Sequence, residues 1–590
     1  MIKIKENDHP KEKKMKRTIA DSLIEALLNA GVTRIYGIVG DSLNAVLDSI
    51  RRSGKIEWIH VRHEEVAAFA AGADAAVTGS IAVCAGSSGP GNLHLINGLY
   101  DCHRNRVPVL AIAAHIPSDE IGTGYFQSTD PQQLFGDCSY YCEVVTTAQQ
   151  MPRTVTVAMQ TAVAKQGVSI IVLPGDVAGN EAADHPVPDH VVHITEPVIH
   201  PSEGELKNLA GYLNSGKRIT LLCGAGCEGA HAQVMQLCEK LQSPMVIALR
   251  GKEHLEYDNP YSVGLTGLIG YSSGYHAMMD CDVLLMLGTD FPYRQFYPEK
   301  AVILQVDIRP EHLGRKTALT YGLCGDVKNT VEALLPHLTE AHDSRHLDKF
   351  VSHYSNVRKE LDQLAVGTPG RTPIHPQYLT KIVSDLASED AVFTCDVGTP
   401  TLWAARYLQM NGKRRLLGSF NHGTMANALP QAIGAQVANP DRQIVSLSGD
   451  GGLAMLMGDL LTLRQHKFPV KVVVFNNSAL SFVELEMKAA GYLETGTDLN
   501  NPNFADVARA IGIEGIRVED PGDLEDAVRR TFEYDGPVLL DVVVNRQELS
   551  LPPKITLQQA HGFTLWMLKA VLNGRGDELV ELAKTNLFRK

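Results

Sequence analysis

Short apolar runs alternate along the chain with longer stretches in which apolar residues return every three or four positions. The short runs predict buried strands and the longer period predicts helices. Strands are predicted at 34–39, 81–85, 109–113 and 169–173 in a first block. A second block has them at 218–223, 244–248, 283–287 and 303–306, and a third at 391–394, 443–447, 471–475 and 538–544. A helix is predicted over 18–30, with Thr18 as its cap and Ile19, Leu23, Ala26 and Leu27 on one face. Strand alternating with helix predicts an α/β fold of parallel sheets. The expected architecture is three doubly wound parallel-sheet domains plus a short C-terminal helical tail. The expected boundaries are a basic leader at 1–17, domains at 18–185, 200–335 and 376–546, and a tail at 548–590. A Pro- and His-rich linker at about 179–202 carries Pro186, Pro188, Pro197 and Pro201, and a polar, charged link covers about 338–375. The first and third blocks have similar lengths and share no visible sequence repeat.

Composition narrows this picture little. The chain has 590 residues, of which 44% are hydrophobic and 21% charged, a globular balance that excludes wholesale disorder. A net charge of −13 argues against general nucleic-acid binding, which draws on basic contacts to phosphate. No uninterrupted apolar stretch reaches the roughly 18–20 residues of a membrane span. The ten cysteines are dispersed and none forms C-x-x-C, as expected of reduced thiols in a cytoplasmic protein. Cys138 and Cys142 would face one way on a helix, a weak hint of metal. The first seventeen residues carry seven basic and three acidic side chains and no apolar core, unlike a secretory signal. Met15, before Lys16-Arg17-Thr18, can also serve as a start.

Chemistry concentrates first in the third block. Gly449-Asp450-Gly451-Gly452 follows the strand at 443–447, and Asn476-Asn477 follows the strand at 471–475. A lone G-D-G is more often a plain turn. Here two neighbouring strand ends present a carboxylate and an amide oxygen at the edge where open α/β sheets bind ligands. Hard oxygen ligands, with diphosphate oxygens and water, suit octahedral Mg²⁺, and backbone N–H groups at the next helix start suit phosphate. The pattern resembles the thiamine-diphosphate (ThDP) motif, G-D-G followed by N-N. That resemblance implies Asp450, Asn477 and the Ala479 carbonyl as metal ligands. It also implies Gly451, Gly452, Ser478, Leu480, Ser481, Phe482 and Val483 as cofactor contacts.

A second segment, Arg62-His63-Glu64-Glu65-Val66-Ala67-Ala68-Phe69-Ala70-Ala71-Gly72-Ala73, resembles the E-x-x-A-x-x-x-A-x-G-x-A helix of ThDP enzymes. One of its two acids is expected only to favour a helix N-terminus. Aligning from Glu65 loses the alanine register, so Glu64 is the acid expected to activate the cofactor by proton transfer. Gly86-Ser87-Ser88-Gly89-Pro90-Gly91-Asn92 reads as a Gly-rich turn. By the same resemblance, Gly423 and Thr424 touch the cofactor, Met425 wedges beneath it, and Val397 of Asp396-Val397-Gly398 supplies backbone to it. The family often has Gly after that Met, where this chain has Ala426.

The middle block ends four strands in Gly- or Asp-bearing turns around Gly224-Ala225-Gly226, Leu265-Thr266-Gly267-Leu268, Gly288-Thr289-Asp290-Phe291-Pro292 and Asp307. They resemble the FAD domain of pyruvate oxidases and acetolactate synthases, and imply FAD contacts at those residues. The segments 62–72, 94–103, 122–127 and 291–294, with the tail, are similar to the quinone-dependent pyruvate dehydrogenase (pyruvate oxidase) family. That likeness implies His103, Phe126 and Gln127 facing the reacting carbon. It implies oxidative decarboxylation of pyruvate to acetate and CO₂, with electrons passed through FAD to a membrane quinone. A homotetramer is also implied, with Glu64 and Asp450 contributed by different subunits. The alternatives are an acetolactate-synthase-like carboligase with structural FAD, or another 2-oxo acid oxidase.

In the tail, Leu565, Leu568, Val571 and Leu572 fall on one helical stripe, broadened by Phe563, Trp566 and Met567. A second short helix is predicted over about 577–586. A C-terminal helix docked on protein is one outcome. The resemblance implies the other, a hook on a phospholipid surface that makes the cytoplasmic enzyme peripheral to the membrane.

Overall fold

The computed structural model describes residues 16–184, 187, 192, 198–548, 564–570 and 582. The leader at 1–15, most of the Pro-rich linker, Phe563, Val571, Leu572 and the helix expected over 577–586 lie outside the described residues. The chain divides into two compact units, residues 1–194 and 195–590.

The first unit holds one six-stranded sheet, built from β1 (Arg34–Gly37), β2 (Glu57–His60), β3 (Ala82–Gly86), β4 (Val109–His115), β5 (Tyr141–Val144) and β6 (Val168–Pro174). Its strand order is β2-β1-β3-β4-β6-β5, every pair parallel. The second unit holds two more. One comprises β7 (Ile219–Cys223), β8 (Met245–Ile247), β9 (Ser262–Leu265), β10 (Val283–Leu287), β11 (Val302–Asp307) and β12 (Tyr321–Cys324), in the order β12-β11-β10-β7-β8-β9. The other comprises β13 (Val392–Cys395), β14 (Arg415–Gly418), β15 (Ile444–Gly449), β16 (Lys471–Asn476), β17 (Glu514–Val518) and β18 (Val538–Val543), in the order β14-β13-β15-β16-β18-β17. The expected α/β class, three doubly wound parallel sheets, is what folds. In each sheet the chain runs outward from one inner strand and then returns to that strand's other side. The switch points fall between β1 and β3, between β7 and β10, and between β13 and β15, and ligands of open sheets bind at such points.

The twelve predicted strands are the inner strands of the three sheets. The six that the pattern missed, β2, β5, β9, β12, β14 and β17, are the two edges of each sheet. Inner strands such as β3, β4 and β7 are buried at every position and read as unbroken apolar runs. Of the edge strands, β2 buries only Ile59 and β5 buries no residue fully, so Glu57, Tyr141 and Glu143 interrupt the signal.

Three expectations change. The link at 338–375 is largely helix, Arg345–Leu364, which buries His346, Leu347 and Phe350 and leaves its charged residues outward except Arg358, whose guanidinium donates to the Arg406 carbonyl. Cys138 and Cys142 share no helix: Cys138 lies in a turn and Cys142 on β5. All ten cysteines are free thiols. In the tail, residues 564–570 are helical, but Trp566 does not face outward. It is fully buried, its indole N–H donates to Glu494 Oε2 at 2.9 Å, and Lys488 Nζ sits 4.7 Å from its ring centre. Lys569 Nζ donates to the Gly491 carbonyl at 2.7 Å. Trp566 and Ala570 form the docked face, and Leu565, Met567 and Leu568 are the exposed ones. No helix among the described residues is long and apolar enough to cross a membrane.

Candidate active site

In the second unit, β15 leads straight into the helix Asp450–Leu456, so Asp450 stands at a helix start on a switch point. Its carboxylate is 3% exposed and accepts four N–H bonds. Oδ1 accepts from Gly451 N at 2.8 Å, while Oδ2 accepts from Ser478 N at 2.7 Å, Asn477 N at 3.1 Å and Asn501 Nδ2 at 2.8 Å. Asn477 Oδ1 in turn accepts from Ala479 N at 3.1 Å. The bridge between Ala479 and Asp498 uses Leu480 N–H to Thr497 O and Leu499 N–H to Ser478 O, and leaves the Ala479 carbonyl outside it. The structure thus brings Asp450, Asn477 and Ala479 together. Burial pushes the Asp450 carboxyl above its ordinary value, against the pull of those donors, and a nearby cation would reverse that push. One carboxylate with amide and carbonyl oxygens suits a hard cation that keeps phosphate and water ligands. No cluster of three His, Cys, Asp or Glu side chains able to hold a metal occurs among the described residues, so the donor set here is mostly neutral oxygen. The helix Ser481–Ala489 follows directly, carrying Phe482 and Val483, and the Ser481 hydroxyl is buried without a hydrogen-bond partner.

Sequence reasoning singled out Val397 and passed over its neighbour Asp396. Asp396 Oδ1 accepts from Ala428 N at 2.9 Å and Oδ2 from Gly449 N at 3.0 Å. A Cβ on Gly452 would collide with the same carboxylate. This single side chain therefore ties the end of β13 to the loop of Gly423, Thr424 and Met425 and to the G-D-G turn. The signal was present, an acid at a strand end just before Gly398. Ala426 adopts φ +66°, the left-handed region that glycine occupies without cost. Gln127 (φ 61°) and Ser478 (φ 54°) are strained in the same way. Such strain clusters where surrounding structure holds a site.

Burial pushes the Asp396 carboxyl up to about 7, although the N–H groups of Ala428, Gly449, Asn427 and Ala426 favour its charged form. The folded value lies above the unfolded one, about 3.9. Its contribution to stability is therefore full below that value and lost as pH rises through about 7. The melting temperature of cofactor-free protein is expected to fall between pH 5 and pH 8, and Asp396→Asn is expected to flatten that slope. An equal slope in both proteins would contradict it.

In the first unit, Glu64 opens the helix Glu64–Thr78, with the His63 side chain accepting from Glu65 N at 3.2 Å as cap. The small residues let this helix press against Pro90–Asn105. A Cβ on Gly98 would collide with Ala68, and one on Gly72 with Cys102 Sγ. That approach sets His94 Nδ1 2.9 Å from Glu64 Oε2, and the His63 ring stacks on His94 at 4.4 Å. Glu64 is 6% exposed. Glu65 instead accepts from Asn97 Nδ2 at 2.7 Å. On the same edge, Ser88 Oγ donates to Gln127 Oε1 at 3.2 Å, and Gly89 (φ 66°) lies against the Gln127 backbone. Phe126 is 78% exposed.

His103 is not brought to this group. It sits near the far end of Pro90–Asn105, its ring 4.4 Å from Tyr140, about 14 Å along the helix axis from His94. The histidine that meets Glu64 is His94. Four residues past Pro90, His94 lies one turn into the helix.

At the switch point of the middle sheet, Gly224, Gly226 and Gly288 pack backbone on backbone, and a Cβ on Gly226 would lie 2.7 Å from Gly288 Cα. Those glycines serve the turn itself. Thr266 is buried with its hydroxyl unpartnered. Thr289 and Asp307 are buried at the same edge, and Asp307 Oδ1 accepts from Arg309 N at 2.9 Å. Leu265 closes β9, and Gly267, Leu268, Asp290, Phe291 and Pro292 lie in the loops after β9 and β10.

Switch-point loops carrying a buried carboxylate and amide oxygens are where an open α/β fold binds its ligand. Comparison with known proteins makes the class specific. Residues 17–134, 206–334 and 396–542 match, in turn, the N-terminal TPP binding, central and C-terminal TPP binding domains of thiamine pyrophosphate enzymes. A putative thiamine pyrophosphate-containing protein of Bacillus subtilis is 35% identical over 96% of this chain and 99% of its own. Pyruvate oxidase of Lactiplantibacillus plantarum is 29% identical over 93% of this chain and 92% of its own. A chloroplastic acetolactate synthase of Arabidopsis thaliana is 29% identical over 90% of this chain and 82% of its own. The chain belongs to the thiamine pyrophosphate enzyme family, in the group of pyruvate oxidases and acetolactate synthases, and is a ThDP-dependent enzyme that processes 2-oxo acids.

Proposed function

We propose that the enzyme decarboxylates pyruvate or a similar short 2-oxo acid and passes the remaining fragment either to a second 2-oxo acid, as a carboligase, or to an oxidant. The observation that carries this is the Asp450–Asn477–Ala479 oxygen set at the β13–β15 switch point. When bound, ThDP supplies a carbon nucleophile for the 2-oxo carbon and an electron sink for the charge that CO₂ leaves behind. Asp450 Oδ1, Asn477 Oδ1 and the Ala479 carbonyl would hold Mg²⁺, whose charge would favour the diphosphate. Met425 supports the cofactor, and the backbone of Val397 and Gly423 borders it. Glu64 holds and moves the activating proton on its carboxylate. His94, on Glu64 Oε2, fixes which oxygen is free to do so. Gln127, anchored by Ser88, orients the 2-oxo acid.

The acetolactate synthases among the relatives favour carboligation, with FAD on Thr266, Thr289 and Asp307 as a structural group. In a second reading pyruvate and water give acetate and CO₂, and FAD, which Thr266, Thr289 and Asp307 would hold, would supply the two-electron acceptor that links the site to a membrane quinone. One observation favours it: the helix at 564–570 keeps Leu565, Met567 and Leu568 exposed, a surface of the chemistry that lipid covers.

One experiment separates the two. Protein loaded with ThDP, Mg²⁺ and FAD receives pyruvate, with and without ferricyanide and with and without phospholipid vesicles. Sustained CO₂ release without an acceptor is expected of the carboligase, whereas the oxidase releases CO₂ only as fast as an acceptor takes its electrons. A condensation product of two pyruvates without acceptor reduction marks the carboligase. Acetate formed in step with ferricyanide reduction, together with vesicle binding that disappears on deletion of 568–590, marks the quinone-linked oxidase. No CO₂ from any short 2-oxo acid would overturn both.

A further inference from the structure

Asn501 lies 51 residues beyond Asp450, in a loop with no motif, yet its side chain reaches the centre of the site. Its Nδ2 donates to Asp450 Oδ2 at 2.8 Å and to Asn476 Oδ1 at 3.0 Å. The direction of these bonds is forced by their neighbours. Asp541 Oδ1 accepts from Asn476 Nδ2 at 2.9 Å, which leaves Asn476 Oδ1 to accept and Asn501 to donate. Asp541 is itself fixed, with Oδ2 accepting from Arg517 Nη1 at 2.6 Å and from Phe504 N at 3.1 Å. A chain of charge-assisted and amide bonds thus runs from Arg517 through Asp541, Asn476 and Asn501 to Asp450.

The loop is placed by the segment it serves. Leu480 N donates to Thr497 O at 2.8 Å and Leu499 N to Ser478 O at 2.9 Å, so 497–501 is paired with the residues that follow Asn477. The consequence falls on the Asp450 carboxylate. A carboxylate oxygen has two lone-pair directions. Oδ2 already accepts from Asn477 N, Ser478 N and Asn501 Nδ2, and has none to spare. Oδ1 accepts only from Gly451 N and keeps one open. Without Asn501 the carboxylate would still meet the two backbone donors, but its plane would lose the third point that sets it.

We propose that Asn501 is a positioning residue for the cation site: its amide, clamped by Asn476, is the third donor on Asp450 Oδ2, sets the plane of the carboxylate and so presents Oδ1 to the metal. This rests on the reading of Asp450 as a Mg²⁺ ligand. Partners of this kind, which orient a ligating group without touching the metal, are typically worth about 10–100-fold in metal affinity.

The test is a Mg²⁺ titration of the full-length protein with ThDP present, followed by the near-ultraviolet circular dichroism of bound cofactor. A ThDP titration at saturating Mg²⁺ and a melting curve accompany it. Asn501→Ala is expected to raise the half-saturating Mg²⁺ concentration roughly 10–100-fold, while the ThDP dissociation constant at saturating Mg²⁺ and the melting temperature stay within about threefold and a few degrees. A merely structural role would weaken both titrations together. Asn501→Ser, which keeps one short donor, carries the same titration if the alanine variant melts early. Unchanged Mg²⁺ dependence in the Asn501 variants, with loss in Asp450→Asn, overturns this proposal alone. Unchanged dependence in Asp450→Asn as well overturns the metal site beneath it.

Discussion

Glu64→Gln is expected to lower turnover by roughly two to four orders of magnitude, the usual weight of a positioned acid–base group, while the protein folds and melts as before. The amide has the same shape, so the close packing of Glu64–Thr78 on Pro90–Asn105 at Ala68, Gly98, Gly72 and Cys102 is not disturbed. What changes is that the side chain no longer takes up and returns a proton. His94 would then face an amide in place of the carboxylate it meets at 2.9 Å. Glu65→Gln provides the contrast, because Glu65 is committed to Asn97 and is expected to matter little. Turnover measured at saturating ThDP and Mg²⁺ decides the matter. A Glu64→Gln enzyme within threefold of wild type would remove Glu64 from the mechanism.

Asp450→Asn should abolish ThDP binding at millimolar Mg²⁺, a loss of at least about 100-fold. Two effects act together. The amide carries no charge to meet the cation. Its NH₂ must also point at backbone N–H groups whichever way it turns, since Gly451 N approaches one oxygen and Asn477 N and Ser478 N the other. A buried donor left without an acceptor costs about 1–3 kcal/mol. Calorimetric titration of ThDP with Mg²⁺ reads the result directly, and affinity near that of wild type would show that Asp450 is not a ligand.

Much of this site was legible in one dimension because its parts stand at strand ends. Gly449-Asp450 after β15 and Asn476-Asn477 after β16 are each contiguous, and adjacent parallel strands carry them to one edge. Glu64 was readable through the alanines behind it, whose size the helix contact requires. Asp396 was readable only as an acid at a strand end, and Asn501 not at all, since it sits in no spacing that local chemistry demands. Asp396 matters because two loops from elsewhere present N–H groups to it, and Asn501 because its loop pairs with 478–480. His103 and His94 share one helix, and only the position of Glu64 at one end of that helix separates them.

The tail shows the same division. Its amphipathic period was plain, and a helix formed within it, but the period does not say which face docks. Burying Trp566 over Lys488 with its N–H on Glu494 reverses the outward role expected of it, and that choice belongs to residues some seventy positions earlier. The chain by itself determined its α/β class, the inner strands of its sheets and the carboxylate–amide pair. These follow from unbroken apolar runs and from residues close in sequence. Tertiary structure alone decided the edge strands, which gain stability from only one neighbour, the partners of Asp450, and the face on which 564–570 rests. Each of those depends on a contact whose two sides lie far apart along the chain.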